Sequence, residues 1–95
     1  MKAYTDLEQS KKLAEILPLE SADMCFNDNE PCWSLAALLS VFSLPKLELD
    51  EQEDGERGWI VSHYTDDYRY DSYYRDEPID ACYNLILKLH EQKLL

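Results

Sequence analysis

Residues 58–74 read GWIVSHYTDDYRYDSYY, and their pattern is the most informative about the fold. Two runs rich in β-branched and aromatic residues, 58–64 and 68–74, are typical of strands. The turn formers Thr65, Asp66 and Asp67 separate them. Because so short a connection joins only antiparallel neighbours, the stretch predicts a β-hairpin.

A third strand precedes this hairpin. Leu47 and Leu49 alternate with Glu48 and Asp50, which is the pattern of a half-buried strand. The charged residues 50–56 then predict a solvated turn that leads into the hairpin. The strands together predict a three-stranded antiparallel meander.

The N-terminal part predicts a first helix and a connection. Thr5, followed three residues later by Glu8, fits a capping box, and apolar residues at helical spacing continue until Pro18. This pattern predicts a helix over residues 5–17. Residues 19–30 are rich in turn formers and predict a loop. Three side chains are expected to hold that loop on the core: Met24, Cys25 and Phe26.

A second helix is predicted to begin at Pro31, because proline at the first helical position loses no hydrogen bond. The run 33–42 is apolar nearly all round, and a helix of that kind is buried on most of its surface. We therefore expect Trp33 to Phe42 to form the central core helix. Leu44 and Pro45 are expected to end it, since a residue before proline avoids the helical region.

A last helix is predicted to begin at Pro78, with the acids Asp76 and Glu77 at its positive end. Its predicted inner face comprises Ile79, Cys82, Tyr83, Ile86, Leu89 and His90. The predicted fold is a single α+β domain over residues 1–95. It has two N-terminal helices, a three-stranded antiparallel meander and a C-terminal helix, with the helices on one face of the sheet.

Composition and charge limit the function classes. The chain has 95 residues, and its formal net charge of -11 disfavours direct nucleic-acid binding, which requires phosphate-neutralising side chains. No apolar run reaches the roughly 18 residues of a membrane span, so no membrane association is expected. No apolar segment follows Lys2, which predicts no secretory signal. The odd number of cysteines favours reduced thiols, and we expect a cytoplasmic protein.

Four segments stand out: WSLAALL at 33–39, GW at 58–59, PIDACY at 78–83 and KLHE at 88–91. Together they resemble a family of short proteins of gut Bacteroides-type bacteria, whose members are often carried by prophages and other mobile elements. The acidic, tyrosine-rich middle of this chain departs from that family. The family has no established activity, ligand or catalytic residue, so the resemblance implies no site.

The acidic stretch 50–55 has glycine at the sixth position, as calcium-binding loops do. However, Val61 stands at the twelfth position, where such a loop needs a bidentate glutamate. A solvated hairpin turn is the first interpretation of this stretch, and weak, non-specific binding of divalent cations is the second.

Catalytic chemistry has little support in the sequence. Cys32 and Cys82 lie in apolar surroundings and are expected to be core residues, not nucleophiles. His63 and His90 fall on apolar faces and are expected to pack, and with the cysteines they lack the spacing of a zinc site. We therefore predict a protein that is not an enzyme, with no cofactor and no metal site.

Two surface features carry the functional hypotheses. Residues 48–77 contain eleven acids and three bases, a charge that serves solubility or attracts a basic partner. The hairpin is crowded with tyrosines at both odd and even positions, and such positions point to opposite faces of a sheet, so some tyrosines must lie on its open side. The candidate interaction surface comprises Tyr64, Tyr68, Arg69, Tyr70, Tyr73 and Tyr74.

The leading hypothesis is a protein–protein interaction module that binds a protein partner, or associates with itself as a homodimer, through these residues. The alternative is an acidic decoy, encoded by a mobile element, that imitates nucleic acid and occupies a DNA-binding enzyme. Duplex DNA presents one charge per roughly 1.7 Å, which the acids of 48–77 match only over a short length.

Overall fold

The structure, a computed structural model, describes residues 2–25, 30–51, 55, 57–75 and 77–95. Its helices are α1 (Leu7–Ala14), α2 (Leu35–Leu39) and α3 (Pro78–Glu91), with a short 3₁₀ helix at Leu19–Ser21. Its strands are β1 (Met24–Cys25), β2 (Pro31–Cys32), β3 (Lys46–Glu51), β4 (Arg57–Tyr64) and β5 (Arg69–Tyr74).

The meander predicted from the sequence is confirmed. The sheet has the order β3-β4-β5, and both pairings are antiparallel. Val61 on β4 lies opposite Leu47 on β3 and opposite Ser72 on β5. The α+β class and the C-terminal helix, which begins with Pro78 in its first turn, are also confirmed.

The central core helix is α3, which corrects the prediction for the run 33–42. This helix has 14 residues and packs against β4 and β5. It buries the side chains of Pro78, Ile79, Asp80, Ala81, Cys82, Leu85, Ile86 and Leu89. Its length and its position across two strands let it bury more apolar surface than the five-residue helix α2, which packs against it.

The second helix begins later than predicted because side-chain hydrogen bonds fix its start at Ser34, and it also ends earlier, at Leu39. The Ser34 hydroxyl accepts from the Ala37 N–H at 3.2 Å, and the Asp23 carboxylate accepts from both the hydroxyl and the N–H of Ser34. Pro31, the predicted first helical residue, instead lies in β2, which pairs with β1. Trp33 is fully buried, as expected of a core residue, although it lies outside the helix.

The capping box of α1 is one residue later than predicted. Asp6, not Thr5, caps the helix, and its partner is Gln9, not Glu8. Thr5 is unavailable as a cap because its hydroxyl accepts from the Trp33 N–H at 3.1 Å and contacts the Ser10 hydroxyl at 2.7 Å.

The predicted loop 19–30 contains regular structure that the sequence pattern did not reveal. It includes the 3₁₀ helix and the strand β1, which pairs antiparallel with β2 just beyond this segment. Met24 and Cys25 are exposed, so they do not hold this segment on the core. Phe26 lies outside the described residues, as do 52–54 and 56 of the acidic turn.

The N-terminal segment is tied to the first turn of α3 through Asp80, which is almost fully buried. Lys2 donates from its ammonium to the Asp80 carboxylate at 2.8 Å, and the Gln9 amide donates to the same oxygen at 2.6 Å. The backbone N–H of Lys2 also donates to the Glu77 carboxylate at 2.7 Å. Buried and half-buried polar bonds therefore hold the N-terminal segment against the start of α3.

None of the helices in the described part of the chain has both the length and the apolar character needed to cross a membrane.

Candidate interaction surface

The sheet has a core face and an open face, and register assigns each side chain to one of them. Trp59 and Val61 on β4 pack with the hydrophobic core beneath α3. Successive side chains of a strand point to opposite faces, so Ile60 and Ser62 face the other way. We call that side the open face. Its side chains, matched across the three strands, are Lys46, Glu48, Asp50, Ile60, Ser62, Tyr64, Arg69, Asp71 and Tyr73.

The ring of Tyr73 lies across the backbone of Gly58 on the open face. Its partner across the strands is Ile60, and Gly58 lies diagonally beside it. The tyrosine ring covers Gly58 so closely that a Cβ built on the glycine would overlap Cε2, Cζ and the hydroxyl oxygen of Tyr73. Gly58 is therefore buried, although it lies on the open face, while Tyr73 itself stays 45% exposed.

Arg69 and Asp71 form a hydrogen-bonded unit next to this ring. The Asp71 carboxylate accepts from Nε of Arg69 and from the hydroxyl of Ser62, each at 2.7 Å. The Arg69 guanidinium lies over the ring of Tyr64, with Cζ 5.7 Å from the ring centre.

These bonds determine the charge state of Asp71. Partial burial acts to raise the pKa of the Asp71 carboxyl, but the hydrogen bonds from Ser62 and Arg69 outweigh it and lower that pKa. The carboxylate therefore stays ionised and keeps the guanidinium in place.

The structure brings three of the six predicted surface residues together and separates the others from them. Tyr64, Arg69 and Tyr73 share the open face. Tyr70 lies on the core face, where it is half-buried and packs against the hydrophobic core. Tyr74 lies on the core face opposite Trp59, where it is 39% exposed.

Tyr68 belongs to neither group. It lies just outside β5 in the turn, is 67% exposed, and has its ring centre 6.0 Å from that of Tyr70.

Sequence reasoning missed Gly58, Ser62 and Asp71, which position the exposed rings and the guanidinium. A single glycine inside a strand pattern signals a close approach by another group, and Gly58 carried that signal. Ser62 and Asp71 had no local signal, because their bond depends on the register between β4 and β5.

The buried histidine and the buried thiols belong to the core. Nδ1 of His63 accepts from the Ser43 N–H at 2.9 Å, which places the proton of the neutral ring on Nε2, and burial lowers the pKa of this imidazole. Burial raises the pKa of the Cys82 thiol to about 12. Cys32 is also fully buried, and its thiol pKa is raised, first by burial and then by the neighbouring Cys25 and Asp23.

No protein-family model, curated protein or solved structure matches this chain.

Proposed function

We propose that this chain is a small, non-catalytic interaction protein of the cytoplasm that binds a protein partner, or a second copy of itself, through the open face of its β4–β5 hairpin. Tyr64, Arg69 and Tyr73 are its central contacts. Tyrosine and arginine are residues that protein interfaces favour.

The packing of the exposed Tyr73 ring on Gly58 is the observation that carries this proposal. An exposed aromatic side chain that is already immobilised loses little conformational entropy when a partner covers it. Arg69 is held in the same way by Asp71 and by the Tyr64 ring. The surface therefore combines exposed aromatic area with a positioned cation before any partner arrives.

Two measurements test the proposal. Light scattering during size exclusion reports self-association over a range of concentrations, and a pull-down from the native host reports other partners. We expect Tyr73→Ala and Arg69→Ala to reduce the dimer fraction or the amount of captured protein. Tyr68→Ala is the matched control, because this tyrosine is even more exposed but lies in the turn, outside the open face. A strict monomer whose capture of partners is unaffected by Tyr73→Ala contradicts the proposal.

The acidic decoy is the second proposal, and it fits the mobile-element origin that the family resemblance implies. Its support is the excess of acids in residues 48–77. Against it, Lys46 and Arg69 lie 2.8 and 2.7 Å from Glu48 and Asp71 and so interrupt the row of negative charge. A decoy must exclude DNA from its target with an affinity that falls steeply as salt rises. Competition binding against DNA at several salt concentrations separates the two proposals.

A further inference from the structure

The three-stranded sheet has two edges, and the hydrogen-bond pattern shows which backbone groups each edge presents. In an antiparallel ladder, bonded and non-bonded residue pairs alternate. The Thr65 N–H donates to the Tyr68 carbonyl at 2.8 Å, so the pair 65–68 is bonded. Counting back along the ladder, Tyr70, Ser72 and Tyr74 bond to β4, while the N–H and C=O groups of Arg69, Asp71 and Tyr73 point away from it.

The same alternation fixes the pattern on the other side of β4. Tyr64 directs its N–H toward the β3 side, since it donates to the Ser43 carbonyl at 3.0 Å. Ser62, Ile60 and Gly58 therefore bond to their partners on β3, which are Lys46, Glu48 and Asp50. The N–H and C=O groups of Leu47, Leu49 and Glu51 point outward from the free side of β3.

The edge of β5 is obstructed. The ammonium group of Lys88 on α3 donates to the outward carbonyl of Asp71 at 3.4 Å, and α3 packs against this strand. A lysine on a sheet edge is a common means of preventing a further strand from pairing there. This arrangement disfavours strand addition at β5.

The edge of β3 differs in both its backbone and its side chains. Among the described residues no further strand lies beyond β3. Leu49, on the core face, is 52% exposed and lies in one row with Trp59 and Tyr74 across the sheet. This row is an apolar shelf that the helices leave partly uncovered.

Charge selects what can pair with this edge. Residues 46–56 contain six acids and a single lysine. A second copy of β3 would place like charges opposite one another, which destabilises a strand pair. A basic strand would place its cations opposite Glu48 and Asp50 on the open face.

We infer that the free edge of β3 binds an extended, basic segment of a partner protein as a fourth strand. The segment alternates apolar residues with lysine or arginine. Its apolar side chains cover Leu49 and extend the shelf formed with Trp59 and Tyr74, while its basic side chains pair with Glu48 and Asp50. Its backbone bonds to Leu47, Leu49 and Glu51. This site lies at the outer edge of β3, whereas the residues of the proposed function, Tyr64, Arg69 and Tyr73, lie on β4 and β5.

Amide hydrogen exchange on the isotope-labelled protein tests the inference residue by residue. The probe is a blocked peptide of alternating lysine and valine. We expect it to slow exchange at Leu47, Leu49 and Glu51, whose N–H groups face outward, and to leave Glu48 and Asp50 unchanged, because they already bond to β4. A peptide with glutamate in place of lysine and a non-alternating peptide of the same composition should not produce this pattern.

A pair of variants at one position separates backbone pairing from side-chain contact. Leu49→Pro removes an outward N–H without removing a bond to β4, and proline is tolerated on edge strands. We expect it to weaken binding of the alternating peptide by about tenfold or more, whereas Leu49→Ala, which keeps the N–H, should weaken it less.

The inference is overturned by unchanged exchange at Leu47, Leu49 and Glu51 with the peptide at saturation, by equal binding of the glutamate peptide, or by full binding to a folded Leu49→Pro variant. The exchange pattern is measured on the unmodified protein, so it decides the question even where the proline variant does not fold. Changes on peptide binding that are confined to Tyr64, Arg69 and Tyr73 also overturn the inference, while they leave the proposed function in place.

Discussion

Replacing Gly58 by alanine should have opposite effects depending on the residue at position 73. The backbone of Gly58 is not in the left-handed region, so alanine fits it without strain. In a strand, alanine gains about 0.5–1 kcal/mol over glycine, because glycine loses more conformational freedom on folding. In the natural protein, however, the new Cβ must displace the Tyr73 ring.

Displacing the Tyr73 ring costs free energy, which opposes the stability gained from alanine. Cross-strand aromatic contacts contribute roughly 0.2–1 kcal/mol, and the displaced ring also exposes the strand beneath it. We therefore expect Gly58→Ala to be neutral or destabilising in the natural protein and stabilising by about 0.5–1 kcal/mol in a Tyr73→Ala background. The coupling energy between the two positions should be about 1 kcal/mol, which is typical of residues in direct contact.

Urea unfolding of all four proteins of this double-mutant cycle measures the coupling. Far-ultraviolet circular dichroism is the better probe, because Trp59 adjoins the mutated glycine and its fluorescence will change for local reasons. If Gly58→Ala changes the free energy of unfolding equally in both backgrounds, to within about 0.3 kcal/mol, the ring does not lie on the glycine as described.

Three further predictions concern the core. Leu38→Ala should cost about 2–5 kcal/mol of unfolding free energy because Leu38 is fully buried, while Leu44→Ala, at a site 76% exposed, should cost little. A loss under about 0.5 kcal/mol for Leu38→Ala in chemical denaturation would show that α2 is peripheral. Asp80→Ala should lower the free energy of unfolding by roughly 1–3 kcal/mol, because it leaves the buried Gln9 amide without its acceptor, and Asp80→Asn should lower it less. Equal losses of unfolding free energy in urea titrations of the two variants would contradict this account. Burial lowers the pKa of His63 below its ordinary 6.5, so the stability that this neutral imidazole contributes is complete above pH 6.5 and is lost as the pH falls below it. Thermal melts should show this loss in the natural protein and in His90→Gln but not in His63→Phe. An identical pH dependence in His63→Phe and the natural protein would refute the prediction.

The strands were predictable because alternation is a local property of the sequence. Leu47 and Leu49 show the period of two, and the polar turn at 65–67 marks the hairpin without any knowledge of the rest of the chain. The start of α2 was not predictable, because it depends on a bond between Ser34 and Asp23, eleven positions apart. Proline at position 31 suggested a helix where the chain forms a short strand.

The candidate surface was predictable in part. The tyrosines stand at both odd and even positions, and because a strand has a period of two, they must occupy both faces of the hairpin. The odd and even positions could not show which face α3 covers, and that choice leaves Tyr70 half-buried against the core and Tyr73 exposed. The direct cross-strand partner of Tyr73 is Ile60, and Gly58 lies two positions before it, so only the register between β4 and β5 reveals the contact between Tyr73 and Gly58.

The bonds that join Lys2 and Gln9 to Asp80 bear on the order in which the molecule assembles. They close loops of more than seventy residues, and the entropy lost in closing a loop rises with its length. The sheet and α3 are nearer to one another along the chain, so we expect them to associate first and the N-terminal segment with α1 to dock afterwards. The same asymmetry makes α1 the part that should detach most readily from the native state. Slow exchange in β4 alongside faster exchange in α1 would then record two separate opening events in one small protein.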